Sequence, residues 1–490
     1  MKKLTGLIII LAALVLGGYY GMGILTEKTI RKNIEVIDQS NGLRAEIKQY
    51  NRGLFSSEAQ IQWQLHIPEH VADVDGAAQT VPAQDYSMEM PLTIHHGPVI
   101  FANNSVRFGL GYAEAVFPFP KQYVDQFNAN FTADSTKPQL DLSIFVNYFN
   151  QSTLDFNVPT FNLTSKDGGR FNWLGLNATT TMSPGMKKVG GTVVVDGVHL
   201  AKGDAQVDLG KVSSDYDLHE TDTGLYLGDA NFTLPEFNIQ VKGQKIFEVS
   251  ELLFKSKSDI EQHLFNTSFT MTIKSVLANA QNYGPGEINI SVRNLDADVL
   301  AKINQQANTM QNGTEEQRQQ AMIALLPELP KLFNKGAELE ISKLNFKLPE
   351  GIIDGTLLIS LPKDENANPF QLMQKIRGNA KLSVPAATVR ELMKQTVAQQ
   401  MAKQPNAQPS IAKQLGAQPA AQQPGQAAAV QQPAQAAQPS VEQQVDQQLN
   451  ALKQAGLIVE KGTDYFIEVS LDQGKFTVNG KPFNDSMLKF

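Results

Sequence analysis

Residues 58–67 read EAQIQWQLHI. Ala59, Ile61, Trp63, Leu65 and Ile67 alternate with Gln60, Gln62, Gln64 and His66. Successive side chains of a strand point to opposite faces, so this alternation predicts one apolar face and one face toward water. The pattern recurs at Val106, Phe108, Leu110 and Tyr112, and at Leu140, Leu142, Ile144, Val146 and Tyr148. Phe269, Met271 and Ile273 repeat it, as do Ile288, Ile290 and Val292. Such strands suit an antiparallel sheet with one wet side. Turn-forming clusters separate the runs: Lys166-Asp167-Gly168-Gly169, Gly190-Gly191, Asp222-Thr223-Gly224 and Tyr283-Gly284-Pro285-Gly286. The regularly interspersed helices of parallel βαβ units are missing. The fold class is therefore α+β and β-rich: an N-terminal transmembrane helix, then a long antiparallel sheet that can curve, with several packed helices.

The transmembrane assignment rests on residues 4–25, which hold no charged residue between Lys2-Lys3 and Glu27. As a helix this run reaches about 33 Å, close to the ~30 Å hydrocarbon thickness of a bilayer. A cleaved signal peptide is the competing reading, but it needs a small-x-small site, and Gly21-Met22-Gly23 is a poor one. The two leading lysines favour an N-inside orientation, weakened by Lys28, Arg31 and Lys32 beyond the run. The expectation is a single-pass membrane protein with the bulk of the chain outside the cytoplasmic membrane.

Length and composition bound the rest. The chain has 490 residues, 42% of them apolar, enough for a sizeable core. A net charge of -7 with no basic stripe argues against nucleic-acid binding. Cysteine is absent, which removes disulfides, thiolate metal sites and a cysteine nucleophile together.

Along the chain the reading divides into a cytoplasmic tail (1–3), the anchor (4–25) and a juxtamembrane helix (26–41) carrying Ile30, Ile34 and Ile37 on one face. A β-rich region (42–295) and a mixed α/β region (296–403) follow. Residues 404–440 hold 11 Gln, 11 Ala and 6 Pro, with no acidic residue, and read as a disordered insertion. A helix and closing hairpin end the chain (441–490). An internal echo is visible in FNVPTFNL (156–163), FTLPEFNI (232–239) and FKLPEGII (346–353). Each reads as a strand that ends or bends at proline.

No chemistry stands out. His66 and His70 are four apart, but Pro68 and the strand pattern deny them a shared helical face. His95 and His96 are adjacent, so on a strand they point apart. The acid pairs Asp73/Asp75, Asp215/Asp217 and Asp296/Asp298 lack EF-hand spacing or a phosphate loop. No nucleophile elbow, metalloprotease motif or Walker loop occurs. The expectation is a non-enzyme with no catalytic, cofactor-binding or metal residues.

Several segments together resemble one family. The anchor, then Tyr50-Asn51-Arg52-Gly53-Leu54-Phe55-Ser56-Ser57, then His95-His96-Gly97-Pro98, are similar to the YdgA-like family of bacterial envelope proteins. LEISKLNFKLPEGIIDGTLLISLP (339–362) and GKFTVNGKPF (474–483) resemble its C-terminal half. The resemblance implies inner-membrane-anchored or periplasmic proteins of uncharacterised function, with no catalytic residues to carry over. The residues themselves read as turns: Arg52 and Gly53, with Gly53 expected at positive φ; His96, Gly97 and Pro98; and Asn479 and Gly480. Expected partners are the membrane, a lipid or other hydrophobic ligand on a concave apolar face, or an envelope protein. A homo-oligomeric scaffold, such as a homodimer, is the alternative.

Overall fold

The computed structural model describes residues 2–38, 43–67, 69–74, 77–102, 104–117, 119, 123–312, 315–363, 374–403 and 440–483, with backbone alone for 2–13, 33, 36–38, 70–74, 77–79, 86, 88, 308–312, 315, 317 and 400–403. The insertion expected at 404–440 thus lies, save Ser440, outside the described residues.

Helix α1 spans Lys2–Asp38 without interruption. Its C-terminal part lies on the sheet, with Ile30 and Ile34 one turn apart on the buried face. Among the described residues no helix is long and apolar enough to cross a membrane. The side chains of the first part of the apolar run fall outside the description.

After α1 the chain builds one antiparallel sheet by successive neighbour pairing. Leu43–Arg52 pairs with Ser56–Ile67, which pairs with Gln84–His96. Gly111–Phe117, Leu140–Val146, Ser152–Val158, Leu176–Met182, Lys188–Val195 and Val212–Glu220 continue the ladder. Tyr226–Val241, Gln244–Glu261, Leu264–Ile273 and Gly286–Asp296 carry it onward. The sheet then crosses the boundary read at 295 without a break, because Gly286–Asp296 pairs with Glu338–Leu348. Gly351–Ser360, Arg377–Pro385, Asp464–Asp472 and Lys475–Val478 complete it. Helices α2 (Val124–Asn130), α3 (Ala297–Asn312), α4 (Glu315–Leu325), α5 (Leu329–Phe333), α6 (Ala386–Lys403) and α7 (Val441–Gln454) are inserted between adjacent strands. Asp296, first of an acid pair, starts α3: its carboxylate accepts from the amides of Asp298 and Val299.

The middle strands share a crease. On each, the apolar alternation skips once, with successive apolar-face positions three residues apart: Val158 and Phe161, Trp173 and Leu176, Val195 and Val198, Leu209 and Val212, Leu234 and Phe237, Val249 and Leu252. These steps align across the ladder. One extra residue bends a strand while restoring its apolar residues to the same face. Gly197 shows the local demand: φ is +135, and a Cβ would lie 2.7 Å from the Leu209 carbonyl oxygen.

The crease accounts for the echo. FNVPTFNL and FTLPEFNI both cross it, with Pro159 and Pro235 at unpaired positions. FKLPEGII does not, since Leu348 and Gly351 close an ordinary hairpin.

Four local expectations are corrected. Residues 106–112 are two strands, Ser105–Phe108 and Gly111–Phe117, because the chain bends at Gly109 and Leu110 while keeping backbone bonds to Pro98 and Gly97 across the hairpin. Tyr148 lies beyond Leu140–Val146, in a turn. Gly190-Gly191 is strand interior: a Cβ at Gly191 would sit 2.5 Å from the Thr179 carbonyl and 2.8 Å from the Tyr216 hydroxyl. Gly53 does not adopt positive φ; it is small because a Cβ would fall 2.4 Å from the Ser56 carbonyl oxygen.

Candidate functional site

Two features stand apart from ordinary sheet construction: the seat of α1 and the incompletely buried apolar face beyond it.

Arg52, Gly53, His96, Gly97 and Pro98 converge on the seat. Gly53 donates to the Ser56 carbonyl and turns the chain, which leaves Arg52 to reach Glu27 of α1 at 3.0 Å. The Arg52 guanidinium also lies 5.4 Å from the Tyr20 ring centre. Gly97 donates to the Leu110 carbonyl, and Pro98 follows through a cis peptide bond. Thr26 donates to that same Leu110 carbonyl at 2.7 Å, against Gly111, where any Cβ would meet its methyl group at 2.5 Å. Asn479 and Gly480 lie elsewhere. Both have positive φ, and the Asn479 amide holds the Gly456 and Leu457 carbonyls in the C-terminal unit.

His96 is 1% exposed and Ser57 is 2% exposed. Nδ1 of His96 faces the Leu54 carbonyl at 3.1 Å, and an acceptor there requires Nδ1 to carry the proton. Nε2 of the neutral ring then accepts from the Ser57 hydroxyl at 2.8 Å. A hydroxyl, an imidazole and an orienting carbonyl form a nucleophile–base geometry. Gly23 of α1 closes over the ring, however: a Cβ there would lie 2.8 Å from Nδ1. No local signal joins Ser57 to His96, which meet only because their two strands pair.

Burial is the main force on the His96 pKa and lowers it, with the Leu54 hydrogen bond opposing. The folded state thus prefers the neutral ring more than the unfolded chain does. Its contribution is full above the unfolded value of about 6.5 and is lost as pH falls toward the depressed folded value. Melting curves of the full chain in detergent should show stability declining below that pH. His96→Gln should flatten the decline, and parallel wild-type and variant profiles would refute the assignment.

The second feature is a row of side chains on one face. Leu142, Phe156, Ala178, Val193, Ser214, Phe232, Phe254, Met271, Ile288 and Leu344 are successive cross-strand partners. Beyond the crease Phe161, Trp173, Val198, Leu209, Phe237 and Val249 form a parallel row. Aromatic neighbours line both: Phe254 and Phe269 centres are 6.0 Å apart, and Phe161 and Trp173 6.1 Å. The opposite face carries Asp155, Thr179, Thr192, Asp215, Asn231 and Lys255 in register. His199 and Asp208 pair on exposed strand positions at 2.6 Å, as do His66 and Asp85 at 2.7 Å. Among the described residues no group of three or more metal-ligating side chains occurs.

Among the described residues, helices pack over this apolar face at its two ends and, through α3, beside the middle strands. Ile30 and Ile34 of α1 close over Ala59, Ile61, Leu92, Ile94, Ala113 and Ala115. At the far end Val397 of α6 and Val445 and Leu449 of α7 close over Ile458, Tyr465 and Ile467. Ala301 of α3 packs with Leu225 and Leu227 beside Ile260 and Phe265. Between these caps the row is incompletely buried, with Phe254 37% and Met271 43% exposed.

The fold therefore defines a class: a long, creased antiparallel sheet whose apolar face is incompletely buried among the described residues, clipped at one end to an N-terminal helix. The chain belongs to the family described as "Bacterial protein of unknown function (DUF945)", which it matches over residues 1–485. It is similar to Protein YdgA of Escherichia coli (strain K12), 20% identical over 448 residues, covering 84% of this chain and 86% of that protein. No solved structure matches.

Proposed function

We propose that this is a non-catalytic, membrane-tethered envelope protein whose open apolar face shelters a lipid acyl chain or a comparable hydrophobic ligand. The reading is carried by the incompletely buried row from Phe156 to Leu344, in which Phe254 is 37% and Met271 43% exposed. Soluble proteins rarely leave a contiguous apolar surface larger than a few hundred Å² unless something occupies it. At ~4.8 Å per strand the row runs for roughly 40 Å, longer than an extended hydrocarbon layer of the ~30 Å bilayer core is thick. The charge-free run at 4–25 supports tethering, and the end caps favour a ligand lying along the sheet. In this reading the Ser57–His96 pair is a clamp for α1, because neither group is accessible. The body lies in the periplasm and the anchor in the inner membrane.

The test uses the full chain in its membrane. A photo-crosslinking amino acid placed at Phe254 should yield a lipid-sized mass adduct. The same group at Lys255, one residue along but on the opposite face, should not. Equal labelling at both positions, or none at Phe254, would refute the ligand. A protein adduct at Phe254 would favour the scaffold reading instead.

A further inference from the structure

Three chain connections leave the sheet at the edge where α1 docks. The pairs Arg52↔Ser57, Ser56↔His95, His96↔Gly111, Gly111↔Val146 and Ser152↔Val146 align those strand ends. The turn at 53–55, the excursion at 97–110 and the turn at 147–151 therefore project from one edge. Each exposes large apolar side chains: Phe55 on the first, Phe101, Val106 and Phe108 on the second, Phe149 on the third.

The middle excursion is unusual. Its hairpin, Val99–Ala102 with Ser105–Phe108, buries Ile100 and Ala102 against Tyr112. Phe101 and Phe108, on the other face, are 68% and 64% exposed. A sheet face turned to water is ordinarily polar, and this one is apolar.

Helix α1 passes through the same place. The Tyr19 ring sits 4.8 Å from Phe55, and its hydroxyl donates to the Val99 carbonyl at 2.7 Å. Tyr148 donates to the Pro98 carbonyl at 2.6 Å. Leu14, Val15 and Leu16, just before this contact, are exposed. Helix length now decides the geometry. From Leu4 to Gly18 the helix rises about 22 Å, roughly 8 Å short of the hydrocarbon core. The remaining depth must be supplied by whatever surrounds Tyr19. Aromatic side chains favour the membrane–water interface, and interfacial segments sink about 5–10 Å into it.

We propose that these three connections form an aromatic collar inserted into the bilayer interface around the emerging α1, fixing the height of the sheet above the membrane. The proposal rests on the anchor reading above and is tested separately from it. The chain has no cysteine, so single-cysteine variants at Leu14, Phe101, Phe108 and Lys255 can each carry an environment-sensitive fluorophore. The full chain is reconstituted in phosphatidylethanolamine–phosphatidylglycerol vesicles with a quencher attached high on the acyl chain. Quenching at Leu14, Phe101 and Phe108, with none at Lys255, is the expected result. Quenching at Leu14 alone overturns the collar and leaves the anchor standing. Quenching nowhere overturns the anchor and the collar with it. Quenching at all four sites overturns the collar by showing flat adsorption of the body.

Discussion

Replacing Gly97 with alanine is expected to open the end of the sheet that holds α1. A Cβ at this position would fall 1.7 Å from the carbonyl oxygen of Gly109 and 2.8 Å from its carbon. Both are backbone atoms, so no rotamer change relieves the clash. Gly109 is itself confined by the Val146 carbonyl and the Phe145 ring. Either the 97–110 excursion moves outward or the Gly97–Leu110 hydrogen bond breaks. Overpacking and lost buried hydrogen bonds each cost about 1–3 kcal/mol, so a penalty on the order of 3 kcal/mol or more is expected. Because Thr26 and Tyr19 of α1 bond to Leu110 and Val99 in this excursion, the helix should loosen with it. Hydrogen exchange should accelerate in Ser56–Ile67 and Gln84–His96 and stay unchanged in Glu338–Leu348. Gly203→Ala, at an open turn with φ +57, should cost about 1 kcal/mol or less. A Gly97→Ala protein with wild-type exchange would show that the excursion does not bind α1.

The sequence makes the sheet legible and leaves its assembly obscure, for physical reasons. Alternation such as Ile61-x-Trp63-x-Leu65 is a local property that survives in any fold with a two-sided sheet. It also misleads where a bend preserves the rhythm. Val106, Phe108, Leu110 and Tyr112 keep the beat while the chain bends at Gly109 and Leu110 without changing direction, so two strands read as one. The crease was visible only as the proline echo, since four of its members use glycine or an ordinary residue at the bend. Glu251, for example, bends its strand at φ +49 with no sequence marker. The functional features are less legible still. Ser57 and His96 are 39 positions apart, and the row from Phe156 to Leu344 exists only once the register of every intervening pair is known. The N-terminal motifs that carry the family resemblance, in contrast, turn out to be neighbours around α1. Their small residues answer backbone approaches that pattern analysis cannot see.

The contrast between Ile61 and Phe254 tests whether the middle of the sheet is open. Ile61 is 1% exposed beneath Ile30 and Ile34 of α1, in the packed end. Ile61→Ala should leave a cavity there and cost about 2–5 kcal/mol. Phe254 belongs to the same continuous face, but no helix among the described residues buries it and it is 37% exposed. In a closed core Phe→Ala costs about 3–5 kcal/mol. On an open face most of that is absent, because the ring already meets solvent or ligand, and about 1 kcal/mol is expected. The order of penalties is thus inverted relative to side-chain size. Denaturant melts of the full chain in detergent, followed by far-ultraviolet circular dichroism, report both. The sharper form replaces each residue with aspartate. Ile61→Asp buries an unpaired carboxylate and should prevent the α1 end from folding. Phe254→Asp should fold and melt close to wild type, yet repel a hydrocarbon ligand and abolish lipid crosslinking from a reporter at Met271 across the strand. If Phe254→Ala instead cost as much as Ile61→Ala, the face would be closed and the ligand would have nowhere to lie.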